Sequence, residues 1–142
     1  MDSASGDAPV LVIPCSGIGK VQGLLSREAT YIVTDELSPR AADTLCLALL
    51  VKGDAAAVEK VGAHECITID GCGKECARKN VEMAGGRVAK AVQVGTVLKQ
   101  HRGAQPGTGA VLTMDGWPVA RDLAELVAHD VACIHAGEKV AP

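Results

Sequence analysis

Cys72 and Cys76 stand four residues apart in Asp70-Gly71-Cys72-Gly73-Lys74-Glu75-Cys76, and another cysteine, Cys15, lies in Pro14-Cys15-Ser16-Gly17. Three residues between two cysteines is a spacing that zinc sites use for a ligand pair. If a helix opens near Cys72, positions i and i+4 bring both sulfurs to one face, about one turn apart. A helix N-terminus favours thiolates, because its unpaired N–H groups and its dipole support negative charge. Thiolate is also the form that binds metal. The pair by itself leaves ordinary packing open as the other explanation, since cysteine is a common core residue.

Two other chemistries compete for the same residues. Cys15 on a Gly-flanked turn at a helix start fits a reactive thiol, with persulfide or disulfide exchange toward Cys72 or Cys76. Phosphatase chemistry of the Cys-x5-Arg kind is excluded, because position 21 is Val21. Gly17-Ile18-Gly19-Lys20-Val21-Gln22-Gly23 is similar to a glycine-rich dinucleotide turn. A Walker loop would need Ser or Thr after Lys20, and only Asp35 or Glu36 offers itself as the acidic partner of a dinucleotide site. The glycines more simply let the turn carry Cys15 into a site. Cys66 reads as core, and Cys133, with His129 four residues before it and His135 close by, as a thiol beside surface histidines. His64 and His101 stand singly.

The elements that must position these residues alternate. Ala8 to Pro14 is a short β-branched run ending in a turn, hence a buried strand. Val21, Leu24, Leu25 and Ala29 then recur at helical spacing. Tyr31 to Thr34 predicts a short strand, and Ser38-Pro39 an N-cap and first helical residue. Thr44 to Val51 suits a helix or a central strand, and the surrounding alternation favours a strand at Leu45–Leu47. Asp54 caps a helix to Val61, stopped by Gly62. Cys66 to Ile69 is a second clear strand, followed by a helix from about Gly73 to Ala84. Val88, Val92 and Val94 mark a strand, Thr96 to His101 a helical turn, and Val111 to Met114 one more short strand. Pro118 opens the longest helix, with Val119, Leu123, Leu126, Val127, Val131 and Ile134 on one side and Gly137 as its stop. Trp117 is expected to close that helix start against the core.

This alternation predicts a three-layer α/β fold, Rossmann-like, with a mostly parallel sheet and helices on both faces. Its 142 residues suit one domain, with residues 1–8 as a loose tail and residues 111–137 as a final strand and helix. Loops leaving the carboxyl ends of the strands share one edge, where ligands bind. Cys15 and Cys72, each just after a strand, therefore fall on the same edge.

Composition narrows the partners. Apolar residues make up 48% of the chain, with one Tyr, one Trp and no Phe, so the core rests on aliphatic side chains, as in buried parallel sheets. A net charge of −3 gives no general attraction to nucleic acid or anionic membranes. Lys74, Arg78, Lys79, Arg87, Lys90, Lys99 and Arg102 form one basic stretch, but no aromatic residue lies among them to stack a base. A solvated surface is the simpler reading of that stretch. No apolar run approaches a membrane span of about 18 residues, and Met1 to Ala8 lacks the basic start of a secretory signal. These features predict a cytoplasmic protein, whose six cysteines serve as thiols or metal ligands rather than bridges.

The segments PCSG (Pro14–Gly17), TLCLALL around Cys46 and ITIDGCGKECA (Ile67–Ala77) resemble the DGC-domain family, named for the step Asp70-Gly71-Cys72. The likeness extends over roughly residues 9–97 and includes GKVQGLLSREA and AGGRVAKAVQV. The resemblance implies zinc binding, with four chelating cysteines falling on Cys15, Cys46, Cys72 and Cys76, and it brings no settled activity. Four thiolates would make a closed tetrahedral centre, normally structural, whereas three would leave a position for sensing, delivery or chemistry. An iron–sulfur cluster accepts four cysteines as well. The resulting expectation is a metal-binding protein, with thiol chemistry at Cys15 and nucleotide binding as the alternatives.

Overall fold

Four parallel strands form one sheet in the order β2-β1-β3-β4, built from β1 (Val10–Pro14), β2 (Ala42–Asp43), β3 (Glu65–Asp70) and β4 (Arg87–Gln93). The structure, a computed structural model, describes residues 8–137 apart from Ser16 and Ile18. The expected tail therefore lies, except for Ala8, outside the described residues. β1 pairs with β2 at Val10↔Ala42 and with β3 from Leu11↔Cys66 to Pro14↔Ile69. The chain leaves β1 toward β2, then crosses to the other side of β1 to form β3. Because parallel crossovers keep one hand, this reversal sends the helices to opposite faces.

On one face lie α1 (Val21–Ile32) and α6 (Gly116–His135); on the other lie α2 (Leu47–Lys52), α3 (Ala55–Ala63) and α4 (Cys76–Met83). A short α5 (Val94–Leu98) follows β4 on the α1 side. Strand alternation divides the core accordingly. Val10, Val12, Ile67 and Ile69 pack with Leu25, Ala29, Leu123 and Val127, whereas Leu11, Ile13 and Cys66 pack with Leu47, Ala57, Val61 and Val81. The predicted three-layer architecture is the one observed.

Several local expectations are corrected. Tyr31–Thr34 is not a strand: α1 runs through Ile32 and continues into one π-helical turn, Val33–Leu37. Leu25, Ala29, Ile32 and Val33 are all buried on the α1 side of the sheet, and that helical stripe outweighs the β-branched composition. Ser38-Pro39 begins a single turn, in which Ser38 C=O accepts from Ala41 and Ala42 N–H, and β2 follows at once. Leu45–Leu47 is not a strand either. Cys46 is the extended residue before α2, Leu47 and Leu50 are buried three apart, and Gly53 ends the helix at φ 83°. Asp54 does cap α3, its Oδ2 accepting from Ala57 N–H at 3.0 Å, but the helix passes Gly62 and ends at Ala63.

β4 carries an irregularity, since Cys66 faces Val88 while Ile67 faces Lys90. This bulge places Val88 against the α2–α4 side and Val92 against the α1 side, rather than on one face. Val111–Met114 forms only an isolated bridge, Leu112 with Gly107. In α6, Val119, Leu123, Val127 and Val131 are buried while Leu126 is partly exposed. Trp117 is 48% exposed. Gly116 makes the close approach at that helix start, because a Cβ there would overlap the Pro106 carbonyl oxygen.

Candidate functional site

The strand order reverses at β1, so the crevice beyond the carboxyl ends of β1 and β3 is the topological switch point, where such sheets bind ligands. Cys15 is the first residue past β1, and its N–H donates to Ile69 C=O at 2.8 Å, one step beyond the strand ladder. Its side chain follows Leu11 and Ile13 onto the α2–α4 side and is 7% exposed. The Gly71 N–H donates to Cys15 Sγ at 3.3 Å. The Ser26 hydroxyl lies 3.6 Å from the same sulfur while it donates to Gly23 C=O at 2.7 Å. With its proton so used, Ser26 Oγ can accept from the Cys15 thiol.

The glycines around Cys15 act through close packing. A Cβ on Gly17 would stand 2.5 Å from Gly23 Cα, and one on Gly71 would stand 2.8 Å from Gln22 Cβ. The loop after β1 thus folds onto the first turn of α1, and the loop after β3 folds onto the same turn. Gly17 also sits at φ 28°, which L side chains rarely adopt. These contacts account for Gly17 and Gly23 of the dinucleotide-like turn without a nucleotide.

Asp70, the last residue of β3, is 2% exposed. Its Oδ1 accepts from Ala77 N–H at 2.8 Å and its Oδ2 from Arg78 N–H at 3.2 Å. It caps α4 from a strand end, across the intervening loop. Burial raises its pKa, opposed by the two N–H donors. α4 starts at Cys76 rather than near Cys72, so the two thiols do not share a helix face. Cys72 sits on the loop, and Cys76 opens the helix. Between them Glu75 adopts a left-handed conformation at φ 52°, the only non-glycine with positive φ among the described residues. Its carboxylate is held by Arg78 at 2.9 Å and Gln93 at 3.2 Å, and the Arg78 hydrogen bond leads in lowering its pKa.

Cys15, Cys72 and Cys76 line one cleft of about 410 Å³, walled by Leu47 and Val51 and edged by Lys20, Gln22 and Asn80. Cys46 opens into a separate recess of about 160 Å³ that shares only Cys15 and Leu47 with the cleft. All six cysteines are free, with Cys46, Cys72 and Cys76 exposed. The donor chemistry suits a thiophilic ion, because the neighbouring Asp70 carboxylate is already occupied by N–H groups. Among the described residues, no three His, Cys, Asp or Glu side chains lie close enough together to hold one ion. The three sulfurs share a cleft without meeting.

The remaining candidates lie elsewhere. Cys66 is fully buried, and burial pushes its thiol up to about 12. Cys133 Sγ lies 3.7 Å from His129 Nε2 on α6. In the basic stretch, Arg78 pairs with Glu75 and Glu82, and Arg87 with Glu65. No helix among the described residues is long and apolar enough to cross a membrane.

Fold and site together define an α/β protein with a thiol-lined cleft at its switch point. The model of the DGC domain matches residues 11–113, and the chain belongs to that family. The match takes in all four strands except the first residue of β1, both site loops and α5, and it reaches past residue 97 into the connection before α6. No curated protein and no solved structure matches the chain. The spacing of the cysteines did not disclose Asp70 or Ser26 as parts of the site. An acidic residue at a strand end, seven residues before the helical Ala77, was the available sign of the first.

Proposed function

We propose that the switch-point cleft binds zinc through the thiolates of Cys15, Cys72 and Cys76, with Cys46 as an accessory fourth thiolate from the adjoining recess. The observation that supports this is that three cysteines from two different strand-end loops line a single cleft. Zinc takes thiolate ligands in tetrahedral sites and needs no redox change, and it would act there as a Lewis acid or as cargo. Two of the three thiols are exposed, which supports sensing or carrying a metal over a buried structural role. A four-cysteine iron–sulfur cluster uses the same ligands and would be told apart by its visible absorption. Free thiols in a reducing cytoplasm belong to this reading.

The test is the metal content of reduced, tag-free protein and of single Cys→Ser variants. About one zinc per chain, lost on changing Cys15, Cys72 or Cys76, is the expected result. A second reading, thiol exchange at Cys15, is favoured by the Gly71 N–H that donates to its sulfur. Folded protein that takes up no metal, with Cys15 reacting fast at neutral pH, would decide for that reading.

A further inference from the structure

The three cysteines of the cleft are held in different ways. Cys15 is fixed: its N–H donates to Ile69 C=O at 2.8 Å, and its buried sulfur accepts from Gly71 N–H at 3.3 Å. Cys76 is carried by α4, whose start Asp70 caps through the Ala77 and Arg78 N–H groups. Cys72 is exposed and stands between two glycines. A Cβ on Gly71 would meet Gln22, whereas one on Gly73 would meet nothing within 4 Å, so the chain beyond Gly71 has room to turn. Cys72 is also one Cα step, about 3.8 Å, from the residue whose N–H meets the Cys15 sulfur. A disulfide needs Cα atoms about 4.4–6.8 Å apart, and so short a step brings that range within reach of the loop.

We infer that Cys15 and Cys72 form a dithiol pair that exchanges with small organic disulfides, an inference that rests on the thiol-exchange reading above and involves no metal. The outside disulfide enters the cleft, whose volume of about 410 Å³ and apolar wall of Leu47 and Val51 suit a small molecule. The exposed Cys72 thiolate attacks one of its sulfurs, the S–S bond breaks, and one half leaves as a thiolate. Cys15, whose thiolate the Gly71 N–H supports, then attacks Cys72 Sγ in the mixed disulfide. The bond from Cys72 to the outside sulfur breaks and the second half leaves. The two thiol protons of the protein pass through solvent to the two leaving thiolates. The protein ends with a Cys15–Cys72 disulfide, oxidised by two electrons, and the organic disulfide is reduced to two thiols. Cys46 takes no part, because it opens into the other recess.

Full-length, reduced, chelator-treated protein tests the inference, with bis(2-hydroxyethyl) disulfide as the probe. Peptide mass spectrometry without reduction should show a Cys15–Cys72 cross-link. About two thiols per chain should be lost as two molecules of 2-mercaptoethanol appear. Cys46→Ser and Cys76→Ser should still form the link, and Cys72→Ser should not. The cross-link in the wild-type chain is the direct readout should a variant fail to fold. A link from Cys15 to Cys46 or Cys76, or a mixed disulfide that stays on Cys15, would overturn the inference and leave Cys15 as an exchanging thiol. Cys15 left unmodified in folded protein would overturn both.

Discussion

The Gly71 N–H points at Cys15 Sγ across 3.3 Å, and this bond ties the loop after β3 to the loop after β1. The two residues are far apart in sequence but adjacent across the sheet, because Pro14 pairs with Ile69 at the ends of their strands. Strand pairing sets the height of both loops, and packing on the first turn of α1 sets their depth. The Cys15 sulfur is therefore positioned by backbone. Cys72, two residues beyond β3, has no comparable anchor and is exposed. The cleft thus pairs one thiol held by backbone and packing with thiols that stand exposed on and beyond the second loop.

Gly71→Ala should break this arrangement. The added methyl would stand 2.8 Å from Gln22 Cβ and 3.2 Å from Gln22 C, so the loop must lift away from α1. Overpacking of this type costs about 1–3 kcal/mol, to be read as a lower denaturant midpoint. Gly73→Ala, two residues on, meets nothing within 4 Å and should leave the midpoint nearly unchanged. Equal behaviour of the two variants would show that the close packing is not what fixes the loop.

Asp70→Ala should destabilise the fold through α4. Its two carboxylate oxygens take the Ala77 and Arg78 N–H groups, and Ala77 is fully buried. A buried donor left without a partner costs about 1–3 kcal/mol, most of it here from Ala77. Asp70→Asn keeps one acceptor oxygen and should lose less. Hydrogen exchange at Ala77 and Arg78 separates this local capping from a general loss of stability: both amides should exchange faster in the alanine variant, ahead of those in α6.

The parts of the fold most legible in the sequence are those whose pattern has one solution. β1 is a continuous apolar run and β3 a β-branched one bounded by a turn, and α6 carries a stripe too long for a strand. The edge of Cys15 and Cys72 also follows, since chain direction alone places both after parallel strands. Less legible is what depends on tertiary choice. Leu, Ala and Cys in 44–51 suit either element, and the segment became α2 because β2 had already supplied the edge strand. The start of α4 depends on Asp70, seven residues before Ala77 in sequence, and the usual capping patterns look only a few residues away. The bulge in β4 leaves Val88 and Val92 at even spacing on opposite faces, where a regular strand would have put them on one.

Asp130 on α6 supplies a pH dependence. It is 5% exposed, its Oδ2 has no hydrogen-bond partner among the described residues, and burial raises its pKa, with Lys90 and His129 opposing. A raised value means that the folded chain keeps this proton where the unfolded chain has released it. The contribution to stability is present below the ordinary value of 3.8 and is lost as pH rises through the folded value. Asp130→Asn should therefore stabilise the protein at pH 7, and the gain should shrink as pH falls toward 4. Denaturant melts of both proteins across this range measure it; a gain that does not vary with pH would mean that charge burial is not its source.

Alkylation of the six cysteines tests the division between site and core. Cys46, Cys72 and Cys76 are exposed, whereas Cys66 is buried with its thiol pushed up to about 12. Thiolate is the reacting form, and at pH 8 Cys66 holds roughly one part in ten thousand of it, by the tenfold-per-unit relation. Iodoacetamide followed by peptide mass spectrometry should label the three exposed cysteines of metal-free protein early and Cys66 only on unfolding. Adding zinc should protect Cys15, Cys72 and Cys76 together, and removing it with a chelator should restore labelling. Cys46 should be protected less, because its thiol opens into the other recess. Protection of Cys46 equal to that of the other three would move it from accessory to full ligand and close the site around four cysteines.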